Sequence, residues 1–231
     1  MKYYKIDIQG RFPKENRILG QANGEKILNG KLFFDRMGKG EIIRDAPFFS
    51  DFFLQSYDKP EFWEWRLQDI HGFIGEYPTG GAWYISHQLK TLLEQFNIAK
   101  GFWFYPTKLS YKEEKKDYWI FQFAAIDNGM SNKSYIDFSK SVFKNPDNND
   151  KLTIKNLEEY NTIRKKIEED SDYEKDIITQ KISLTEDVDF ITFFGINSEG
   201  IIISEKLKKA IENSSIEGFE FSDINFEIET A

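Results

Sequence analysis

The chain has no cysteine among its 231 residues. That absence removes disulfides, thiol nucleophiles and cysteine-ligated zinc together, and it suits a reducing compartment. Histidine is nearly as scarce, with only His71 and His87. No apolar run approaches the length that spans a bilayer. The opening MKYYKIDIQGRFPKEN has no apolar segment followed by a small-residue cleavage site, so no signal peptide is expected. These absences together predict a cytoplasmic protein that does not enter a membrane. A basic excess is missing as well. The formal net charge is −8, and the acidic surplus lies in residues 111–231, which hold 16 Lys+Arg against 26 Asp+Glu; residues 1–110 hold 15 against 13. A nucleic-acid binder needs a basic footprint, so nucleic acid is excluded as the expected partner, whereas a basic protein partner fits.

Aromatic residues are what the chain has in quantity. Hydrophobic residues make up 40% and aromatics 16%, with 22 Phe. Large rings bury much area each, so a core is available without disulfides or metals. Alternation predicts a first strand over Tyr3–Ile8. The short apolar pieces Arg17–Gly20, Leu32–Phe34 and Glu41–Arg44, separated by Gly- and Asn-rich turns, predict hairpins rather than helices. Residues 46–75 form a dense aromatic stretch in which Phe48, Phe49, Phe52, Phe53 and Leu54 are expected in the core or an interface. Trp63 and Trp65 alternate there with Glu64 and Arg66 as in a strand.

A pattern then occurs twice. ISHQLKTLLEQFNIAKGFWF spans 85–104, and ISEKLKKAIENSSIEGFEF spans 203–221. Each reads as a serine-capped amphipathic helix, a glycine turn and a strand carrying Phe-x-Phe. Leu89, Leu92, Leu93 and Phe96 form the apolar stripe of the first helix; Leu207, Ala210 and Ile211 form that of the second. Ser110–Lys116 is expected as a charged turn and Tyr118–Ala125 as a central strand. Tyr135–Phe138 reads as a short strand and Asn145–Asp150 as an exposed break. Leu157, Tyr160, Ile163 and Ile167 space as a third helix face. Strands are expected over Ile177–Leu184, Phe190–Ile196 and Ile201–Ile203, with a hairpin turn at Asn197–Gly200, and Ile224, Phe226 and Ile228 alternate as a last strand. The expected class is α+β, largely antiparallel, with about three helices and two repeated halves, each a helix packed on a sheet. The expected organisation is an N-terminal half over 1–127, a connecting region over 128–150 and an acidic C-terminal half over 151–231, in one compact unit.

Catalytic constellations are sparse. His71 or His87 could act as a base, but Glu205 takes the place of His87 in the second copy of the pattern, so that fold position does not require imidazole. Glu61 and Glu64 flank Phe62 and Trp63 and could form an acid–base pair for sugar hydrolysis. They equally suit the wet side of an aromatic strand. The Gly75–Gly81 loop lacks the Gly-Lys-Ser/Thr of a phosphate-binding loop. The run at 145–150 lacks the glycine and terminal glutamate of a calcium loop. No Gly-x-Ser-x-Gly occurs, and Ser86 and Ser204 read as caps. No cofactor or metal is expected. The strongest charged feature is Glu168, Glu169, Asp170, Asp172, Glu174 and Asp176, which fits a docking surface for a basic protein as well as a solvated helix end.

The twinned motif, Ser86 to Pro106 and Ser204 to Phe221, resembles the immunity proteins of bacterial polymorphic toxin and type VI secretion systems. In that family a mid-chain helix leads into a strand ending in Tyr-Pro, here Tyr105-Pro106, and a terminal Ser-x-x-Leu-Lys helix leads into Gly-Phe-x-Phe. The resemblance covers about residues 80–228 and leaves 1–79 unmatched. It implies a non-enzymatic antitoxin that binds a cognate secreted toxin. Two other readings stand beside it: a carbohydrate or small-molecule binder that stacks ligands on Trp63 and Trp65 within 48–65, and a hydrolase with Glu61 or Glu64 as its acid.

Overall fold

The computed structural model describes residues 1–12, 14–125, 131–196 and 200–230. In chain order the first half runs β1 (Tyr3–Ile8), β2 (Arg11–Phe12), β3 (Arg17–Ile18), β4 (Gln21–Asn23), α1 (Gly30–Gly38), β5 (Phe49–Gln55), β6 (Ile70–His71), β7 (Ala82–Ser86), α2 (His87–Leu93), β8 (Trp103–Tyr111) and β9 (Glu114–Gln122). The second half runs β10 (Val142–Lys144), β11 (Lys151–Leu152), α3 (Leu157–Asp170), β12 (Ile178–Leu184), β13 (Phe190–Thr192), β14 (Ile201–Ser204), α4 (Glu205–Glu212), β15 (Phe219–Asp223) and β16 (Glu227–Thr230).

The strands form a six-stranded sheet in the order β4-β5-β8-β9-β7-β6, two four-stranded sheets, β13-β14-β1-β15 and β11-β10-β12-β16, and the small β2–β3 ribbon. Only β5–β8 and β12–β16 pair in parallel among the described strands. The class is therefore α+β and mostly antiparallel, as expected, with four α-helices among the described residues rather than about three. The run β6-β7-β9-β8 and the sheet β13-β14-β1-β15 have the same order and the same antiparallel sense. The strand between the helix-flanking pair comes from the following hairpin arm in one sheet, and from the start of the chain in the other.

Local chemistry explains the elements that differ from expectation. Leu32–Phe34 is not a hairpin arm but lies in α1, where Gly30, Phe34 and Met37 are buried. Those positions recur at helical spacing, and the glycine turns on either side mask it. Glu41–Arg44 is irregular rather than an arm of a hairpin. Trp63 and Trp65 are not in a strand. Pro60 opens a short 3-10 turn, Pro60–Phe62, and both indoles donate to backbone carbonyls, Trp63 Nε1 to Asp58 O at 2.8 Å and Trp65 Nε1 to Ile18 O at 3.1 Å. The Ser110–Lys116 turn is tighter than expected. The β8 and β9 arms continue to Tyr111 and Glu114, and only Lys112 and Glu113 bend, both with positive φ (48° and 67°), as a two-residue hairpin requires. Tyr135–Phe138 holds a 3-10 turn and a single bridge from Ile136 to Leu184 instead of a strand. Residues 145–150 join β10 to β11, closed by Asn145 N donating to Asp150 O at 2.9 Å. Most of the turn expected at Asn197–Gly200 lies outside the described residues.

One apolar cluster ties the two similar sheets together. It contains Ile6, Ile70, Trp83, Leu89, Phe121, Phe190, Ile203 and Leu207. Phe190 sits 5.3 Å from each of the Trp83, Phe121 and Phe123 rings. Separate clusters lie under α1, around Phe34, Phe49 and Phe52, and under α3, around Phe143, Tyr160 and Ile182. No helix among the described residues is long and apolar enough to cross a membrane.

Candidate functional site

The serines of the twinned motif cap helices. Ser86 Oγ accepts from Leu89 N at 3.1 Å, and Ser204 Oγ accepts from Leu207 N at 3.2 Å. Each hydroxyl in turn donates to an aspartate, Ser86 to Asp69 at 2.5 Å and Ser204 to Asp189 at 2.6 Å. The backbones match as well: Ser86 N donates to Asp69 O and Ser204 N to Asp189 O. Tyr118 and Tyr3 lie opposite these serines and donate to the carbonyls just before the aspartates, those of Gln68 and Val188. Burial raises the pKa of both phenols, that of Tyr3 to about 12. A Ser beside an Asp suggests catalysis only where a base completes the set. Here both groups are consumed by helix capping and sheet closure.

His71 is structural too. It is fully buried, with Nδ1 2.7 Å from Gly20 O and Nε2 accepting from Gln68 N at 3.2 Å. These contacts require the neutral ring protonated on Nδ1. Burial lowers its pKa to about 4. His87 is exposed and stacks on Trp119 at 6.2 Å. Glu64 accepts from Lys112 N at 2.8 Å, while Glu61 lies exposed on the preceding 3-10 turn. The described residues contain no group of three or more His, Asp or Glu that could hold a metal. Trp65 does not offer a free face for a sugar, because the Arg17 guanidinium lies over its ring at 5.6 Å and Phe12 meets it edge-on at 5.3 Å. Of the expected core aromatics, Phe49, Phe52 and Leu54 are buried, Phe53 is half-buried and Phe48 is exposed.

The acidic segment divides into two groups. Glu168 and Asp176 converge on Arg164, at 2.9 and 3.0 Å, and Asp176 also accepts from Ile177 N. Half-buried Arg164 is thereby neutralised. Glu169 reaches Lys165 at 3.7 Å. Asp170, Asp172 and Glu174 are exposed and make no ion pair among the described residues. Asp172 and Tyr173 turn the chain with positive φ, and Tyr173 stands 74% exposed among these three carboxylates.

Several grooves open elsewhere, and two of them are lined by aromatic rings and cations. One, of about 460 Å³, runs past Phe96, Phe102, Phe104 and Trp119, with the Lys90 ammonium 4.7 Å over the Trp119 ring and paired with Glu94. The other, of about 400 Å³, is lined by the β2–β3 ribbon and by Tyr57 and Asp58. Sequence reasoning passes over this second cleft, since its residues lie some way apart in the chain and carry no short motif. An arginine-rich ribbon facing an exposed tyrosine is the one available signal.

Residues 73–226 match the model of an immunity protein family, Imm11. No curated protein matches the chain. The matched span contains both capping serines, Asp189 and the acidic segment; β1, Asp69 and the second cleft precede it.

Proposed function

The chain belongs to the Imm11 immunity protein family, and from that premise we propose that it binds a cognate bacterial toxin and blocks it without catalysis. The match over residues 73–226 carries this reading. The fates of Ser86, Ser204 and His71 support it, since the groups that would do chemistry are hydrogen-bonded into the scaffold. The setting we infer is a polymorphic toxin system, with type VI secretion as one delivery route, and a cytoplasmic antitoxin protecting the producing cell.

For contacts we propose the segment Glu168, Glu169, Asp170, Asp172, Glu174 and Asp176 facing a basic patch of the toxin. Asp170, Asp172 and Glu174 are the members free to do this, around an exposed Tyr173 that supplies apolar contact. We further infer that the two sheets carrying α2 and α4 are repeated units. Their common strand order, paired serine–aspartate caps and paired tyrosines support this. Lys90 over Trp119 and Lys208 over Tyr4 add a further correspondence, each lysine bonded to a glutamate four residues on.

The test is co-expression with the toxin domain encoded by the neighbouring gene. Growth should be restored by this chain and not by an immunity protein from another locus. Continued killing at equal expression would refute the reading.

A further inference from the structure

We propose that the cleft between the β2–β3 ribbon and Tyr57 is a second docking surface, built to receive carboxylate side chains from an acidic loop of the toxin. The proposal rests on the immunity reading above. Arg17 is half-buried, and its guanidinium lies 4.9 Å over the Phe62 ring and 5.6 Å over that of Trp65. Stacking of this kind holds the planar fork in one orientation and leaves its edge donors available. Neither Arg11 nor Arg17 has a carboxylate within ion-pair distance among the described residues, in a chain with an excess of eight negative charges. Arg66 and Arg164, by contrast, are matched by Glu217 and by the Glu168–Asp176 pair.

The acid inside the cleft is already engaged. Asp58 accepts from Ile18 N at 3.3 Å and from the Ser56 hydroxyl. Those bonds, with the Trp65 bond to Ile18 O, fasten the ribbon to the segment that follows β5. At the rim Tyr57 is 82% exposed. Arginine and tyrosine, which line this shallow cleft, are among the residues that dominate binding energy at protein interfaces. An oriented guanidinium without a partner selects a carboxylate, which it can hold through two parallel hydrogen bonds. A nucleic acid would offer phosphates to the same fork, but it would have to approach a molecule of net charge −8. The cleft also precedes the span shared with the family, where a contact particular to one toxin would be placed.

Calorimetric titration of the neighbouring gene's toxin domain, at low and high salt, tests this. Arg17→Ala should weaken binding about 30-fold or more. Arg17→Lys, which keeps the charge and loses the fork, should recover only part of the loss, and the effect should shrink at high salt. Tyr57→Ala changes a side chain that stands largely in solvent, and it should weaken binding roughly tenfold with an unchanged melting temperature. If wild type binds and all three variants bind equally well, the docking surface is wrong and the immunity function stands. The docking surface is equally wrong if Arg17→Ala instead dissolves a dimer of this chain, or removes binding of a single-stranded oligonucleotide. Failure of the wild-type chain to bind any toxin overturns the immunity reading and the docking surface with it.

Discussion

Asp69 and Asp189 brace each other's sheets. Each accepts a bond from the serine that caps the helix of its own sheet, and each reaches across to the turn beyond the other sheet's helix. Asp69 Oδ2 accepts from Glu217 N at 2.9 Å, past α4, and Asp189 Oδ2 accepts from Asn97 N at 3.0 Å, past α2. The backbone repeats the exchange, with Asp69 N donating to Glu217 O and Asp189 N to Asn97 O. Two carboxylates therefore couple the two sheets reciprocally.

Removing either brace should destabilise the whole molecule rather than one sheet. Asp189 is the more buried, and Asp189→Ala leaves Ser204 and Asn97 N without their acceptor. A loss of about 2–4 kcal/mol is expected. Ser204→Ala removes the cap and one of the donors to Asp189, at about 1–2 kcal/mol. Urea unfolding followed by fluorescence and by far-ultraviolet circular dichroism should give coincident transitions in both variants. Separate transitions would show that the aspartates do not couple the sheets.

The turn that receives Asp69 tolerates no side chain. Gly218 has φ of +110°, and a Cβ there would lie 2.8 Å from Ile70 Cγ2 and 3.0 Å from Gln68 Oε1. Gly218→Ala should cost about 2–3 kcal/mol, from strain and from displacement of β6. An unchanged denaturation midpoint would contradict the packing described for this turn.

His71 makes stability depend on mild acid. The unfolded imidazole titrates near its ordinary value of 6.5 and the folded one near 4. Between these values the unfolded state binds more protons, so stability rises with pH and is complete above about 6.5. Acidification through the window should remove up to about 3 kcal/mol. Unfolding free energies measured at pH 7.5, 6 and 5 should fall in that order for wild type. His71→Gln, less stable at neutral pH, should show a much flatter dependence; an equal slope would assign the acid sensitivity elsewhere.

Within the acidic segment, binding and stability should separate. Lysine at Asp170, Asp172 and Glu174 should weaken toxin binding, most at low salt, and leave the melting temperature nearly unchanged, because these side chains are exposed. Asp176→Asn should instead lower stability by about 1 kcal/mol, since it strips a half-buried arginine of one partner. Binding that ignores the triple change would remove this segment from the interface.

What could be read in advance follows the range of the forces involved. The Ser86 and Ser204 caps and the Gly101 and Gly218 turns depend on residues a few positions apart, so a linear pattern displays them. No short motif displays the roles of Asp69 and Asp189, because their partners, Glu217 and Asn97, are far away in the chain. Tyr3 and Tyr118 were equally hidden: one precedes its helix in the chain and the other follows, so no alignment of the two copies brings them together. The glycines around Leu32–Phe34 read as turns, whereas burial of Phe34 and Met37 on one face selects a helix. Trp63 and Trp65 alternated like a strand, yet Pro60 and two indole hydrogen bonds fixed a turn. The acidic run was visible as charge, but only the position of Arg164 shows which carboxylates are spoken for.

The place of β1 has a kinetic consequence. This strand pairs with β14 and β15, whose residues are made long after its own. Until residues 201–223 emerge, the strand lies beside neither of its paired neighbours, and all the elements from β2 to β13 lie within the loop it closes. Such long-range pairing is slow and comes late. The sheet that carries α4 thus assembles only after β14 and β15 have been made, and a nascent fragment that stops short of them holds an unpaired strand that chaperones would recognise.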